Sequence, residues 1–153
     1  MKIRQYRPKD EKQVIDLWLE CGLVTAWNNP KRDIERKLKV NPEWFIVGEL
    51  DGRIIATCMA GYEGHRGWIN YLAVARKYRK RGFAAKIMKK AEHLLLKAGC
   101  PKINLLVRKS NAYIIKFYET LGYKKDEVIS MGKRLAEDKP YQKGQAKRKS
   151  KEH

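Results

Sequence analysis

The middle of the chain contains short apolar runs of the length of β-strands, separated by turn residues. The runs are Trp44–Leu50, Arg53–Ala60 and Trp68–Val74. Asp51-Gly52, which joins the first two, is typical of a two-residue type I′ hairpin turn. A loop rich in glycine and charge, 61–67, precedes the third run. The pattern predicts a three-stranded antiparallel meander.

After this meander the spacing of apolar residues becomes that of a helix. They recur on one helical face at Ala84, Ile87, Met88, Ala91, Leu94, Leu95 and Ala98. The next apolar run, Ile103–Val107, again has the length of a strand. A strand, a helix and a strand of these lengths favour a parallel pairing of Trp68–Val74 with Ile103–Val107.

The N-terminal part predicts a short strand and two helices. The strand is Lys2–Tyr6, and the first helix extends from its cap Asp10 to about Cys21. The second helix begins at Pro30, a residue common at the first helical position, and ends before Asn41-Pro42.

The C-terminal part predicts one more helix, one more strand and a tail. Ser110 or Asn111 caps the helix, Gly122 ends it, and Tyr123–Met131 is the last strand. Residues 136–153 are basic and poor in apolar side chains, so we expect a disordered tail after a domain spanning residues 1–135.

Composition and cysteine usage exclude several classes of protein. The 153 residues suffice for one domain with its own core. No apolar run approaches the roughly 20 residues of a membrane span, and the N-terminus lacks the apolar segment of a signal peptide. Cys21, Cys58 and Cys100 have no paired spacing, which favours reduced thiols in a cytoplasmic protein and disfavours a metal site.

The net charge is strongly positive, at +18. Residues 133–153 carry +5 of it, because eight lysines and arginines there outnumber three acidic residues, and the body of the chain keeps +13. A basic body suits an anionic ligand, an acidic partner or a nucleic acid, and charge alone does not distinguish them.

A basic turn, Arg79-Lys80-Arg81-Gly82-Phe83-Ala84, joins the third strand of the meander to the long helix. The unpaired N–H groups and positive dipole end of a helix N-terminus stabilise an anion, and three adjacent cations add to this effect. The P-loop sequence and the dinucleotide-binding fingerprint are both absent. The turn therefore predicts a phosphate site of another kind.

The turn resembles the [RQ]-x-x-G-x-[GA] motif of the GCN5-related N-acetyltransferases, in the fuller form Val74-x-x-x-Tyr78-Arg79-x-x-Gly82-x-Ala84. In that family the turn holds the pyrophosphate of acetyl-CoA through backbone N–H groups. The residues that the resemblance implies for acetyl-CoA binding are Leu72, Ala73, Val74, Arg79, Lys80, Arg81, Gly82, Phe83, Ala84, Asn111 and Tyr118.

A second stretch, from Asn111 to Tyr123, resembles the family signature N-x-A-x-x-x-Y-x-x-x-G-F, although Tyr113 replaces its usual small residue. In the family, the residue matching Asn111 contacts the cofactor, and the residue matching Tyr118 protonates the leaving thiolate. Trp27-Asn28-x-Pro30 and the loop 61–67 are further similar to the YpeA-type bacterial branch.

The resemblance implies the α/β (α+β) fold of this family. That fold has a mixed central sheet with an antiparallel meander, helices on both faces, and splayed parallel strands at the cofactor site. It also implies acetyl transfer to a primary amine by direct attack in a ternary complex, with Tyr118 as general acid and main-chain N–H groups of Tyr71–Val74 polarising the thioester. The strand Trp68–Val74 has no carboxylate, so Glu63 is the candidate base, with Glu49 or a water chain as alternatives.

Trp27, Asn28, Tyr62 and Trp68 are predicted walls of the acceptor pocket, with core packing as the alternative for the tryptophans. Two other functions stay open: a basic protein that binds nucleic acid or the ribosome, weakly through its tail, and an acyl-CoA sensor without turnover. The sequence is compatible with a monomer and with a homodimer, and it leaves the acceptor amine open.

Overall fold

The computed structural model of the chain describes residues 1–143. Within them, five strands form one sheet in the order β1-β2-β3-β4-β5. Their bounds are β1 Lys2–Gln5, β2 Phe45–Leu50, β3 Arg53–Tyr62, β4 Gly67–Val74 and β5 Ile103–Asn104. Neighbouring strands are antiparallel except β4 and β5, which are parallel. The predicted meander and the predicted parallel pairing are both confirmed.

Four α-helices cover the two faces of this sheet in the described part of the chain. They are α1 Glu11–Glu20, α2 Pro30–Lys37, α3 Phe83–Lys97 and α4 Ala112–Thr120. One core cluster joins the sheet to α1 and α2, and a second joins it to α3 and α4. None of the described helices is long and apolar enough to cross a membrane.

The alternation of side chains along β2 explains why one strand serves both cores. Phe45 and Val47 pack in the cluster under α1, whereas Ile46 packs in the cluster under α3. All three side chains are buried. Since successive side chains of a strand point to opposite faces, a strand whose two faces are both buried is apolar at consecutive positions.

Local chemistry sets the predicted turns and caps. Asp51 and Gly52 have φ angles of 50° and 75°, the left-handed conformation that a type I′ hairpin requires. The Asn29 side chain accepts hydrogen bonds from the N–H groups of Lys31 and Arg32 at the start of α2. Asn111 likewise caps α4, accepting from Ile114 N at 3.2 Å.

The predicted last strand, Tyr123–Met131, is wrong, because the structure has no strand there. The neighbouring strand β5 is only two residues long and offers a short edge for pairing. Side chains hold the segment there instead: the Asp126 carboxylate accepts hydrogen bonds from Lys102 Nζ at 2.9 Å and Asn104 Nδ2 at 2.8 Å.

The first part of the predicted tail is packed against α1 and α2. The Asp138 carboxylate accepts two hydrogen bonds from the Arg36 guanidinium, at 2.6 and 2.8 Å, and its side chain is 6% exposed. Asn29 Nδ2 donates to Lys139 O at 2.9 Å, and Tyr141 packs against the core under α1. The rest of the predicted tail, 144–153, lies outside the described residues.

Candidate active site

A β-bulge in β4 creates the shape of the site. Met59 pairs with Asn70, but Thr57 pairs with Ala73, so β4 has one residue more than β3 between these pairs. Tyr71 lies at the bulge with φ of 50°, a left-handed conformation that is strained for a residue with a side chain.

Buried contacts hold the bulge in place. Thr57 Oγ1 donates to the carbonyl of Tyr71 at 2.8 Å and accepts from Trp18 Nε1 at 2.8 Å. The Trp18 ring also stacks on the Tyr71 ring, with centroids 3.9 Å apart. Because Thr57 and Trp18 are fully buried, these contacts stabilise the strained backbone of Tyr71.

β4 and β5 stop pairing before the chain reaches the bulge. They pair only at Gly67–Ile103 and Trp68–Asn104, near the start of both strands. A cavity of about 1350 Å³ lies along the separated part, lined by residues 71–74 of β4 and residues 105–107, which follow β5. The turn before α3 and one side of α4 complete its wall. The predicted strand Ile103–Val107 is therefore shortened where the cavity opens.

The basic turn presents backbone donors to this cavity. Gly82 is the N-cap of α3 with φ of 78°, which a residue without a Cβ adopts easily. Lys86 N bonds to Gly82 O at 3.0 Å, so the N–H groups of the preceding turn have no partner within the helix. Phe83, Ala84 and Ala85 from that turn all line the cavity.

The cations of the turn are divided between two positions. Arg79 and Lys80 line the cavity, whereas Arg81 lies over the Tyr78 ring, 5.5 Å from its centroid, and does not. Arg79 Nε also donates to Val74 O at 3.0 Å, which ties the turn to the end of β4. Two of the three predicted cationic contacts are thus placed beside the helix N-terminus.

The two residues predicted on α4 face the same cavity. Asn111 and Tyr118 both line it. The Tyr118 side chain is buried, and burial raises the pKa of its hydroxyl, an effect strengthened by nearby Cys58. The hydroxyl therefore stays protonated at neutral pH and can donate a proton. The structure brings these two residues together with Leu72, Ala73, Val74 and the turn.

The candidate base Glu63 lies outside the cavity. Its carboxylate accepts the N–H groups of Arg66 at 2.7 Å and His65 at 3.0 Å, and these bonds lower its pKa. The alternative, Glu49, accepts from Arg4 Nε at 2.8 Å at the β1 edge of the sheet. Both carboxylates stabilise local structure, and no contact in the described residues supports either as the base.

The four predicted acceptor-pocket residues do not line the cavity either. Tyr62 hydrogen-bonds to the carbonyls of Gly64 and Gly99, and Trp68 is 39% exposed elsewhere on the surface. The guanidinium of Arg108 lies over the Trp27 ring, 5.6 Å from its centroid, and Arg108 does line the cavity.

Asn28 does not line the cavity but is hydrogen-bonded to Tyr71, which does. Its Nδ2 donates to the Tyr71 hydroxyl at 2.7 Å, and that hydroxyl donates to Asp33 Oδ2 at 2.5 Å. Tyr71 and Asp33 both line the cavity. Sequence reasoning missed Asp33, because one aspartate on a charged surface helix has no local feature that marks it.

Comparison with known proteins agrees with this geometry. A sequence model described as the acetyltransferase (GNAT) family matches residues 11–123. The chain belongs to this family. It is 45% identical over 141 residues to an acetyltransferase of Yersinia pestis (strain Pestoides F), covering 92% of this chain and all of that protein.

Solved structures of acetyltransferases have the same fold as this one. Ard1 from Thermoplasma volcanium superposes with a TM-score of 0.69 at 23% identity, covering 79% of this chain and 80% of that one. The aminoglycoside N-acetyltransferase AAC(6')-Iy in complex with CoA gives 0.68 at 19% identity, covering 87% and 99%. The predicted family and its α/β fold, with a mixed sheet and helices on both faces, are confirmed.

Proposed function

We propose that this acetyltransferase transfers the acetyl group of acetyl-CoA to a primary amine by direct attack in a ternary complex. One observation carries the proposal. The turn at Gly82, the separated strands β4 and β5, and Tyr118 all line one cavity. These are the groups needed to bind a pyrophosphate, admit an extended thioester arm and protonate a leaving thiolate.

The residues Arg79–Ala85, here called the donor end, fit the anionic part of acetyl-CoA. A carbon atom added to Gly82 would meet no protein atom within 4 Å, so the backbone there is open to a ligand. The N–H groups of the first turn of α3 favour a pyrophosphate, and Arg79 and Lys80 supply positive charge beside them. The whole predicted set except Arg81 is proposed to contact the donor.

The separated part of β4 fits the pantetheine arm and the thioester. Leu72, Ala73 and Val74 line the cavity where β5 no longer pairs with them, so their backbone groups are accessible to a bound molecule. The backbone N–H groups of Tyr71–Val74 are proposed to polarise the thioester carbonyl, and preorganised donors of this kind supply much of the catalytic effect in acyl transfer.

Tyr118 is proposed as the general acid. Departure of the CoA thiolate generates negative charge on sulfur, and the protonated Tyr118 hydroxyl is proposed to neutralise that charge as the C–S bond breaks. No cysteine belongs to the turn or to α4. Cys21 lines the cavity, but burial raises the pKa of its thiol and so disfavours the nucleophilic thiolate. Both observations favour direct attack by the amine over an acetylated enzyme. Cys21, Cys58 and Cys100 are free thiols, which is consistent with action in the cytoplasm.

The decisive experiment combines binding with turnover. Calorimetry is expected to show saturable binding of acetyl-CoA to the purified full chain, and absence of binding at millimolar ligand would contradict the proposal. A panel of primary amines, assayed by release of the CoA thiol and by mass spectrometry of the product, is expected to show N-acetylation. Binding without any transfer would instead indicate an acyl-CoA sensor.

A further inference from the structure

The hydroxyl of Tyr71 is the centre of a polar network that the proposed function leaves unused. It donates to Asp33 Oδ2 at 2.5 Å and accepts from Asn28 Nδ2 at 2.7 Å. Asp33 and Tyr71 line the cavity, and all three side chains are partly buried. Each belongs to a different part of the fold: the loop after α1, helix α2 and the bulge of β4. These three residues are called the acceptor end below.

The charge of Asp33 is opposite in sign to that of the other charged side chains around this cavity. Among the described residues that line it, Asp33 is the only carboxylate, and the other charged side chains are Arg36, Lys37, Arg79, Lys80 and Arg108. A protonated amine entering a cavity with this excess of positive charge is stabilised beside Asp33 and repelled elsewhere. The charge pattern therefore specifies where an ammonium group can bind.

The position of Tyr71 is determined by the bulge. Side chains of a regular strand alternate, but the extra residue places both Ile69 and Leu72 on the α3 face and turns Tyr71 towards α1 and α2. Its backbone keeps a strained φ of 50° because Thr57 and Trp18 hold it. A hydroxyl fixed in this way is suited to proton transfer with a defined direction.

Charged groups from α2 and from the C-terminal segment affect this pair. Arg36, on the same helix, has Nη1 3.4 Å from Asp33 Oδ1. Asp138, from the C-terminal segment, binds Arg36 and partly neutralises it. Burial first and then Asp33 raise the pKa of Tyr71, so its hydroxyl remains protonated at neutral pH. The network thus rests with a proton on Tyr71 and an accepting oxygen on Asp33.

We propose that Tyr71 and Asp33 bind the ammonium group of the acceptor and remove its proton. This inference rests on the proposed function. The ammonium gives a proton to Tyr71 Oη while Tyr71 gives its own proton to Asp33 Oδ2, which leaves a neutral amine and a protonated Asp33. Tyr71 touches the substrate and is the catalytic residue of the pair, and Asn28 is a positioning residue that orients its hydroxyl.

The remaining steps balance. The amine lone pair forms a C–N bond to the acetyl carbon, the C–S bond breaks, and the thiolate takes a proton from Tyr118. The nitrogen loses its second proton as the amide forms, and this proton replaces the one lost from Tyr118. Asp33 then releases its proton to solvent. One acetyl-CoA and one ammonium ion give one amide, one CoA thiol and one proton.

The test compares the pH dependence of two variants and a matched control. The probes are propylamine, an ammonium ion at neutral pH, and 2,2,2-trifluoroethylamine, whose fluorines keep it mostly neutral there. The variants are Asp33→Asn, which keeps an acceptor oxygen but removes the charge, and Tyr71→Phe, which keeps the stacked ring. Glu35→Gln is the control, because Glu35 lies on the same helix and pairs with Arg32 on its exposed side.

For propylamine we expect kcat/KM of the wild type to be nearly flat from about pH 6 to 9, since the amine is protonated throughout and the Tyr71–Asp33 pair removes its proton. Both variants can use only the free amine, so their kcat/KM should rise about tenfold per pH unit and be about 100-fold lower at pH 7. With trifluoroethylamine the deficit should shrink to a few-fold. Glu35→Gln should behave as the wild type, and Kd for acetyl-CoA should not change in any variant.

Two results would overturn the assignment: a dependence of kcat/KM on pH as flat as the wild type's in both Asp33→Asn and Tyr71→Phe, or the same loss of kcat/KM with both amines. A merely structural role would change neither the pH dependence nor the ratio between the two amines. Those results leave acetyl transfer itself intact. A wild type that binds acetyl-CoA but acetylates neither amine would overturn the proposed function and, with it, this inference.

Discussion

The donor end and the acceptor end of the cavity are built in different ways. The donor end is one continuous stretch, Arg79–Ala85, whose proposed ligand groups are backbone N–H donors at the start of α3. The acceptor end joins Asn28, Asp33 and Tyr71, which are up to 43 residues apart in the chain and act through side chains. One end depends on local conformation and the other on tertiary packing.

This difference has consequences for how each end responds to change. The donor end needs a left-handed glycine and a helix start, both formed by neighbouring residues. The acceptor end needs α2, the loop before it and the bulge of β4 to keep their relative positions, and the C-terminal segment contributes through the Arg36–Asp138 pair. Mutations far from the cavity are therefore expected to affect acceptor use more than donor binding.

The largest expected effect separates chemistry from donor binding. Tyr118→Phe should lower kcat about 100-fold while Kd for acetyl-CoA stays within a few-fold, because the hydroxyl acts on the leaving thiolate and adds little to binding. Tyr123→Phe is the matched control: its ring meets Tyr118 edge-on at 5.6 Å but does not line the cavity. Steady-state kinetics and calorimetry give both numbers, and an unchanged kcat would show that Tyr118 is structural.

A smaller effect distinguishes the donor end from other turns of the same conformation. Gly82 and Gly52 have φ of 78° and 75°, and an added Cβ meets no atom at either position. Gly82→Ala and Gly52→Ala should each lower the free energy of unfolding by about 1–2 kcal/mol. Only Gly82→Ala should also weaken acetyl-CoA binding, about tenfold or about 1.4 kcal/mol.

Denaturant unfolding and calorimetry on the two glycine variants measure these quantities. Equal acetyl-CoA affinities would mean that the backbone at Gly82 does not contact the donor. A loss of affinity in Gly52→Ala as large as in Gly82→Ala would point instead to a general effect of reduced stability.

The smallest expected effect concerns the link between the C-terminal segment and α2. Hydrogen bonds from Arg36 lower the pKa of Asp138. A carboxyl whose pKa is lower in the folded than in the unfolded state stabilises the fold at any pH above the unfolded pKa, which is about 3.9 for aspartate. This contribution is lost as the pH falls through the pKa of the folded state. Asp138→Asn should therefore lower the melting temperature slightly at pH 7, and the difference should vanish in strong acid.

The neighbouring Glu137→Gln serves as the control for Asp138→Asn, since Glu137 is exposed and no ion pair with it is found in the described residues. KM for the amine is expected to rise in Asp138→Asn and Kd for acetyl-CoA to stay unchanged. A larger change in acetyl-CoA affinity than in KM would contradict the division between the two ends.

Much of the fold followed from patterns within short segments. The hairpin at Asp51-Gly52 and the cap at Asn29 are set by local backbone preferences, and they are found as predicted. The strand predicted at Tyr123–Met131 fails because a strand needs a partner edge. β5 ends after Asn104, and a segment's own sequence does not show how long its neighbour remains paired.

The same distinction applies to the residues of the site. Most of the motif around Gly82 lines the cavity together with Asn111 and Tyr118, since their spacing along one turn and one helix face sets their positions. Their contacts with acetyl-CoA stay a prediction. Glu63 was chosen for its proximity in sequence to β4, but its carboxylate is turned into its own loop. Proximity along a chain does not specify the direction of a side chain in a loop.

The sequence alone determined the meander, the hairpin, the helix caps at Asn29 and Asn111 and the glycine turn before α3, because each depends on the conformational preferences of a few consecutive residues. Only the tertiary structure decided that β4 bulges at Tyr71, that β4 and β5 separate, and that Asp33 and Asn28 meet the Tyr71 hydroxyl. Those features arise from packing between residues 14 to 43 positions apart in the chain, where the burial of Trp18 and Thr57 outweighs the local cost of a strained backbone.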